Sequence, residues 1–163
     1  LVILRKQTLF ATTLLLAAFN AQWARATTSP ADPCSLLPVA TLSSTVQATY
    51  VAPTSTVAPR PYANTVAGTD CHYAPKGAGS SLLFRIYFDP SSSDATGLFA
   101  KLKFFYSPAT PVAGVGDEAY FDPRKAIHVR KGNVRFYLEL GNADSPAAQQ
   151  QITTLATTIA GQL

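Results

Sequence analysis

No C-x-x-C pair occurs in these 163 residues, and there are only two cysteines, Cys34 and Cys71. That excludes the usual dithiol redox motif, and a zinc site would have to find its four ligands elsewhere. Only two histidines are present, His72 and His128, and no G-x-S-x-G elbow accompanies them. Ser-His-Asp chemistry therefore has no visible nucleophile. A metal site built from His72, His128 and Asp117 has no ligand spacing behind it. No apolar run reaches the ~20 residues of a membrane-spanning helix.

One short apolar run is present, and it reads as an export signal. Arg5 and Lys6 precede an uncharged stretch from Thr8 to Phe19, and Ala24-Arg25-Ala26 supplies the small-x-small cleavage pattern. Residues 1–26 are thus expected to be a signal peptide, with Thr27 as the mature N-terminus. A hydrophobic N-terminal helix packed on the domain is the rival. The three cations Arg5, Lys6 and Arg25 would leave with the signal, so 10 Lys and Arg face 9 Asp and Glu in the remainder, a net +1. Near-neutral charge and export both argue against nucleic acid as a partner. Residues 27–163 suffice for one domain and not for two.

Two cysteines in an oxidising compartment most simply form one disulfide, Cys34–Cys71, worth roughly 3–4 kcal/mol in the chain-entropy account. A redox-active pair or a thiolate metal site is the alternative, and neither has a motif. Ala31-Asp32-Pro33 before Cys34 is not a lipobox, so no membrane anchor is expected after cleavage. No cofactor is indicated.

Along the chain, Asp32-Pro33 reads as a helix entrance, with a short helix over Leu36 to Leu42 interrupted at Pro38. Residues 47–69 are rich in Pro, Thr and Ala and read as irregular, with one short strand near Ala48 to Ala52. Strands follow at 71–74 and 81–88. A helix capped by Ser92 or Ser93 would present Leu98, Phe99, Leu102 and Phe105. Strands at 119–122, 126–130 and 133–140 come next, the last two forming a hairpin around Lys131-Gly132 that pairs Val129 with Val134 and Ile127 with Phe136. Ser145-Pro146 opens a closing helix with Ile152, Leu155, Ile159 and Leu163 on one face. The order α-β-β-α-β-β-β-α predicts an α+β domain, an antiparallel sheet of four to five strands with helices mainly on one face. A three-layer α/β/α sandwich is the alternative, disfavoured because the second sheet face is polar.

That second face holds the candidate binding residues. Strand parity puts Arg85 and Tyr87 on it, with His128, Arg130, Arg135, Tyr137 and Glu139 from the hairpin. The first four of the hairpin set, with Arg85 and Tyr87, suit an anionic or sugar-like ligand or a protein partner. A solvated sheet face without function is the rival. In Gly114-Val115-Gly116-Asp117-Glu118-Ala119-Tyr120-Phe121 the glycines stand before a strand rather than a helix, so they read as a turn and not a phosphate loop. Asp117 and Glu118 are adjacent and point apart, so they cannot act as a carboxylate pair on one bond.

Several of these segments together resemble a group of small exported bacterial domains of unknown function, many of them lipoproteins. The resemblance lies in the opening Asp32-Pro33-Cys34-Ser35-Leu36-Leu37, the second cysteine starting a strand at Cys71-His72-Tyr73, the Gly114–Ala119 turn and the closing helix. It implies a compact α+β domain stapled by its two cysteines, and it brings no activity. The expectation is an exported, periplasmic or extracellular, non-catalytic domain that binds a small ligand or an envelope protein through its open sheet face. A small hydrolase-like enzyme using His128 or His72 with Asp117 or Glu118 is the alternative.

Overall fold

The structure, a computed structural model, describes residues 27–163. The expected export signal at 1–26 lies outside the described residues. Asp32 accepts a hydrogen bond from the Cys34 amide at 3.0 Å and starts a 3-10 turn, Pro33–Leu36. Pro38 ends that turn, and α1 follows over Val39–Val46, so the interruption expected at Pro38 is present. Then come β1 (Thr54–Ala58), β2 (Gly68–Tyr73), β3 (Leu82–Phe88) and α2 (Ser92–Phe105). The chain continues through β4 (Thr110–Val112), β5 (Glu118–Phe121), β6 (Ile127–Lys131), β7 (Val134–Leu140) and α3 (Pro146–Ala160).

All seven strands form one antiparallel sheet in the order β1-β2-β3-β7-β6-β5-β4. The architecture is α+β, but the sheet is larger than the four to five strands expected. The two additions are its edges. β1 is exposed at four of its five residues, and β4 is exposed or half-buried throughout. Edge strands like these are held by backbone pairing to one neighbour, so no hydrophobic alternation marks them. The strand expected at 48–52 is only an isolated bridge between Tyr50 and Pro75.

Register fixes two faces. On the first, Cys71, Phe84, Leu138, Ile127 and Phe121 stand in one cross-strand row. This row packs with Leu42 of α1 and with Ile152, Leu155 and Ile159 of α3 as the main core. Each such fully buried side chain contributes about 1.5–3 kcal/mol. The disulfide Cys34–Cys71 joins the 3-10 turn to β2 across 37 residues. Beside it the Tyr73 hydroxyl lies 3.1 Å from the Cys34 carbonyl and donates to the Leu37 carbonyl at 2.7 Å.

The second face is where expectation fails. β3 lies mid-sheet and β4 at an edge, so the chain joining them must cross the sheet. It does so as α2, which packs on β6 and β7 and sets the Phe99 ring 5.1 Å from Tyr120. Helices therefore lie on both faces, α1 and α3 on one and α2 on the other. The polar face is covered in part rather than open. Polarity misled because each buried charge there has a partner in place. The α2 stripe also differs from expectation. Ala95 and Phe99 are buried, whereas Phe105 is 74 % exposed.

The β6–β7 hairpin is shifted from the expected pairing. Lys131 opposes Val134 and Val129 opposes Phe136, so the turn residues are Gly132 and Asn133. Gly132, at φ +56°, takes the first central position, where a II′ turn wants glycine. The slip is an even number of residues, which leaves every side chain on the face foreseen.

Candidate functional site

One row of side chains crosses the second face: Asp70, Arg85, Tyr137, His128 and Tyr120, each opposite the next in the sheet register. Asp70 receives both Arg85 Nε and Arg85 Nη2, the latter at 2.5 Å. That hydrogen bond, working against desolvation, holds the Arg85 guanidinium firmly protonated. The guanidinium lies 5.3 Å from the Tyr137 ring centre. Tyr137 stacks on His128 at 5.1 Å, and His128 stacks on Tyr120 at 4.8 Å with the planes nearly parallel. Tyr106, the C-cap of α2, approaches the same imidazole at 5.1 Å. Offset stacks and cation–π contacts of this kind contribute about 0.5–1.5 kcal/mol each beyond area burial.

Two further carboxylates lie behind this face. Asp89, in the Asp-Pro step that ends β3, takes Arg135 Nε at 2.5 Å and Nη2 at 2.9 Å, and both residues are 2 % exposed. Arg135 also lies over the Tyr87 ring at 4.9 Å. Asp122, in the Asp-Pro step after β5, faces His128 Nε2 at 3.3 Å and accepts the Arg124 and Ala126 amides. Burial alone would raise the Asp122 carboxyl. The His128 contact and the Ala126 amide outweigh it and hold it below the ordinary carboxylate range.

A pocket of about 230 Å³ opens over this row. Its floor is Arg85, Tyr87, His128 and Tyr137, and Leu102 and Phe105 of α2, with its C-cap Tyr106, form one wall. The opposite wall is the segment after β1, including Arg60 and Tyr62. That segment is pinned where the Tyr87 hydroxyl donates to the Pro59 carbonyl at 2.8 Å and where Lys101 of α2 lies over Tyr62. Burial pushes the Tyr137 hydroxyl up to about 12 and the Tyr87 hydroxyl above its ordinary value. Both are neutral donors at physiological pH. Beneath the floor a 20 Å³ void is lined by Arg135, whose Nη1 finds no acceptor among the described residues. A cleft of about 970 Å³ runs beside the pocket along the first half of α2. Arg60 and Lys101 share its wall with Asp89 and Asp94, so its lining carries charges of both signs.

Of the six residues expected to bind, four, Arg85, Tyr87, His128 and Tyr137, line the pocket. Arg135 lies under its floor. Arg130 belongs to neither and bonds Asp117 at 3.0 Å. The acids considered for catalysis are elsewhere. Asp117 also accepts the Gly132 amide at 2.7 Å, and Glu118 pairs with Lys103 of α2. His72 is exposed on β2. The carboxylate that does face a histidine, Asp122, was hidden in sequence because Asp122-Pro123, like Asp89-Pro90, reads only as a strand breaker. Among the described residues no three metal-ligating side chains converge.

Comparison with known proteins adds no relative. No family model, no curated protein and no solved structure matches this chain.

Proposed function

We propose that this protein is an exported, non-catalytic binding domain that takes a small ligand in the pocket between α2, the segment after β1 and the sheet. The observation that carries the proposal is the convergence of Arg85, Tyr87, His128 and Tyr137 on one walled pocket. Ligand sites are typically concave, mostly apolar and supplied with a few polar groups that orient the guest. At about 230 Å³ the pocket is a little smaller than the ~300–1,000 Å³ of drug-sized sites, which favours a compact ring over a large molecule. Export is supported by the basic and apolar pattern of residues 1–26 and by the disulfide, which suits an oxidising compartment.

The enzyme reading has one observation in its favour, the buried His128–Asp122 pair. Against it, His128 is sandwiched between Tyr120 and Tyr137, and the pocket wall supplies no Ser, Thr or Cys for it to activate.

Trp23 is the single tryptophan of the chain, so residues 27–163 contain none. Phe105→Trp would place a unique reporter at the pocket mouth, and Val57→Trp would place one on the exposed β1 edge. A saturable emission change at Phe105→Trp with benzamide, absent at Val57→Trp, supports the reading. Equal responses at both reporters, or none at ~10 mM, would remove it.

A further inference from the structure

We infer that the pocket's ligand is a small aromatic carboxylate, its ring held among Tyr62, Phe105, Tyr106 and Tyr137 and its carboxylate by Arg60. The inference rests on the pocket being a binding site, and it adds the chemical class of the guest.

Charge gives the first argument. The pocket wall carries two arginines, Arg60 and Arg85, and no Asp or Glu. Arg85 already has its Nε–Nη2 edge on Asp70, which neutralises its charge. Arg60 forms no ion pair among the described residues and stands exposed at the mouth. A planar guanidinium free at the rim is matched to a carboxylate, which can accept two parallel N–H bonds from it. Arg135 adds a buried donor of the same sign below the floor, since its Nη1 has no acceptor while the residue is 2 % exposed.

The walls give the second argument. Five Phe and Tyr rings and the His128 imidazole line a space of about 230 Å³, a setting that gains from a flat apolar ring. A sugar also stacks on aromatic rings, but its hydroxyls need a matching set of acceptors. The wall holds no Asn, Gln, Ser, Thr, Asp or Glu, and the Tyr87 hydroxyl is committed to Pro59. Only the Tyr62, Tyr106 and Tyr137 hydroxyls remain there to pair with a sugar, fewer partners than its ring of hydroxyls calls for.

The test is an amide-shift NMR titration of residues 27–163 with benzoate, its neutral near-isostere benzamide, and glucuronate. Benzoate is expected to move Tyr62, Leu102 and Phe105 together and to bind on the order of tenfold tighter than benzamide. Arg60→Gln, at an exposed position where folding is not at stake, is expected to erase that preference, and added salt to reduce it. Benzamide matching benzoate at the same residues would overturn the charge assignment while leaving the pocket a binding site. A preference that survives Arg60→Gln would overturn the role of Arg60, and glucuronate binding tighter than benzoate would overturn the aromatic class. No pocket shift with any probe at ~10 mM would remove this inference and the binding reading together.

Discussion

Asp89→Asn is the substitution that most sharply separates a covered sheet face from an open one. Asp89 and Arg135 are each 2 % exposed and share two hydrogen bonds, at 2.5 and 2.9 Å. The Asp89 amide also donates to the Asn133 carbonyl at 2.9 Å, and its carbonyl accepts Asn133 Nδ2 at 2.9 Å. Asparagine keeps the shape and those backbone bonds but sets an NH2 against a guanidinium donor and leaves the Arg135 charge without its counter-ion. Removing one partner of a buried pair costs about 3–5 kcal/mol, because the other charge remains desolvated. A domain of this size has about 5–15 kcal/mol in all, so the variant loses a large share of it. With a urea slope of ~2 kcal/mol/M, the midpoint falls by ~1.5–2.5 M, read by far-UV circular dichroism. Asp89→Leu with Arg135→Met removes both charges and is expected to recover most of the loss, since apolar replacement of a whole buried pair is often neutral. A drop below ~1 kcal/mol for Asp89→Asn would refute the reasoning, because it would mean that water reaches Arg135 and that α2 does not cover the face.

Three further outcomes follow from the same geometry. Asp122 and Asp117 are both held below the ordinary carboxylate range, in each case by hydrogen bonds that outweigh burial. Their stabilisation is complete above the unfolded value of ~4 and is lost as pH falls through the lower folded values, so urea midpoints should drop below about pH 4. Asp122→Asn should flatten that slope, and an unchanged slope would contradict the assignment. Gly116, at φ +60°, would place an alanine Cβ 2.6 Å from the Arg130 carbonyl, whereas Gly114, at φ +77°, has open space. Gly116→Ala should therefore cost clearly more than the ~1 kcal/mol expected for Gly114→Ala, and equal thermal shifts would contradict this. Replacing Cys34 and Cys71 together by alanine should lower stability by about 4 kcal/mol for a 37-residue separation. A loss under ~1 kcal/mol would place the tie elsewhere.

Legibility in the sequence followed side-chain periodicity. The parity of β3, β6 and β7 alone places Arg85, Tyr87, His128 and Tyr137 on one face, and the two-cysteine count points to the disulfide. β1 and β4 were not legible, because an edge strand exposed on both sides leaves no alternation to read. Cover over the polar face was not legible either. It depends on where α2 must go to link β3 with β4, a question of strand order that local patterns do not carry. The polar side chains that marked the face as solvated are buried or half-buried, Arg85 against Asp70, Arg135 against Asp89 and His128 against Asp122, and each acid is distant or masked in sequence. Arg135 and Asp89, for instance, stand 46 residues apart. In the Gly114–Ala119 turn the parity held, with Ala119 and Phe121 in the main core and Glu118 turned to α2. The reason for Gly116, its approach to the β6 backbone, appears only in three dimensions.

The central claim is that the space between Phe105, Tyr62 and the Tyr137–His128 stack receives a small ring, and isotope-filtered NOEs test it most directly. With benzoate added to labelled residues 27–163, ring protons of the probe should give NOEs to the Leu102 methyls and to the Phe105 and Tyr62 rings. NOEs confined to the α3 side, such as the Leu155 or Ile159 methyls, or none under saturating probe, would contradict the account.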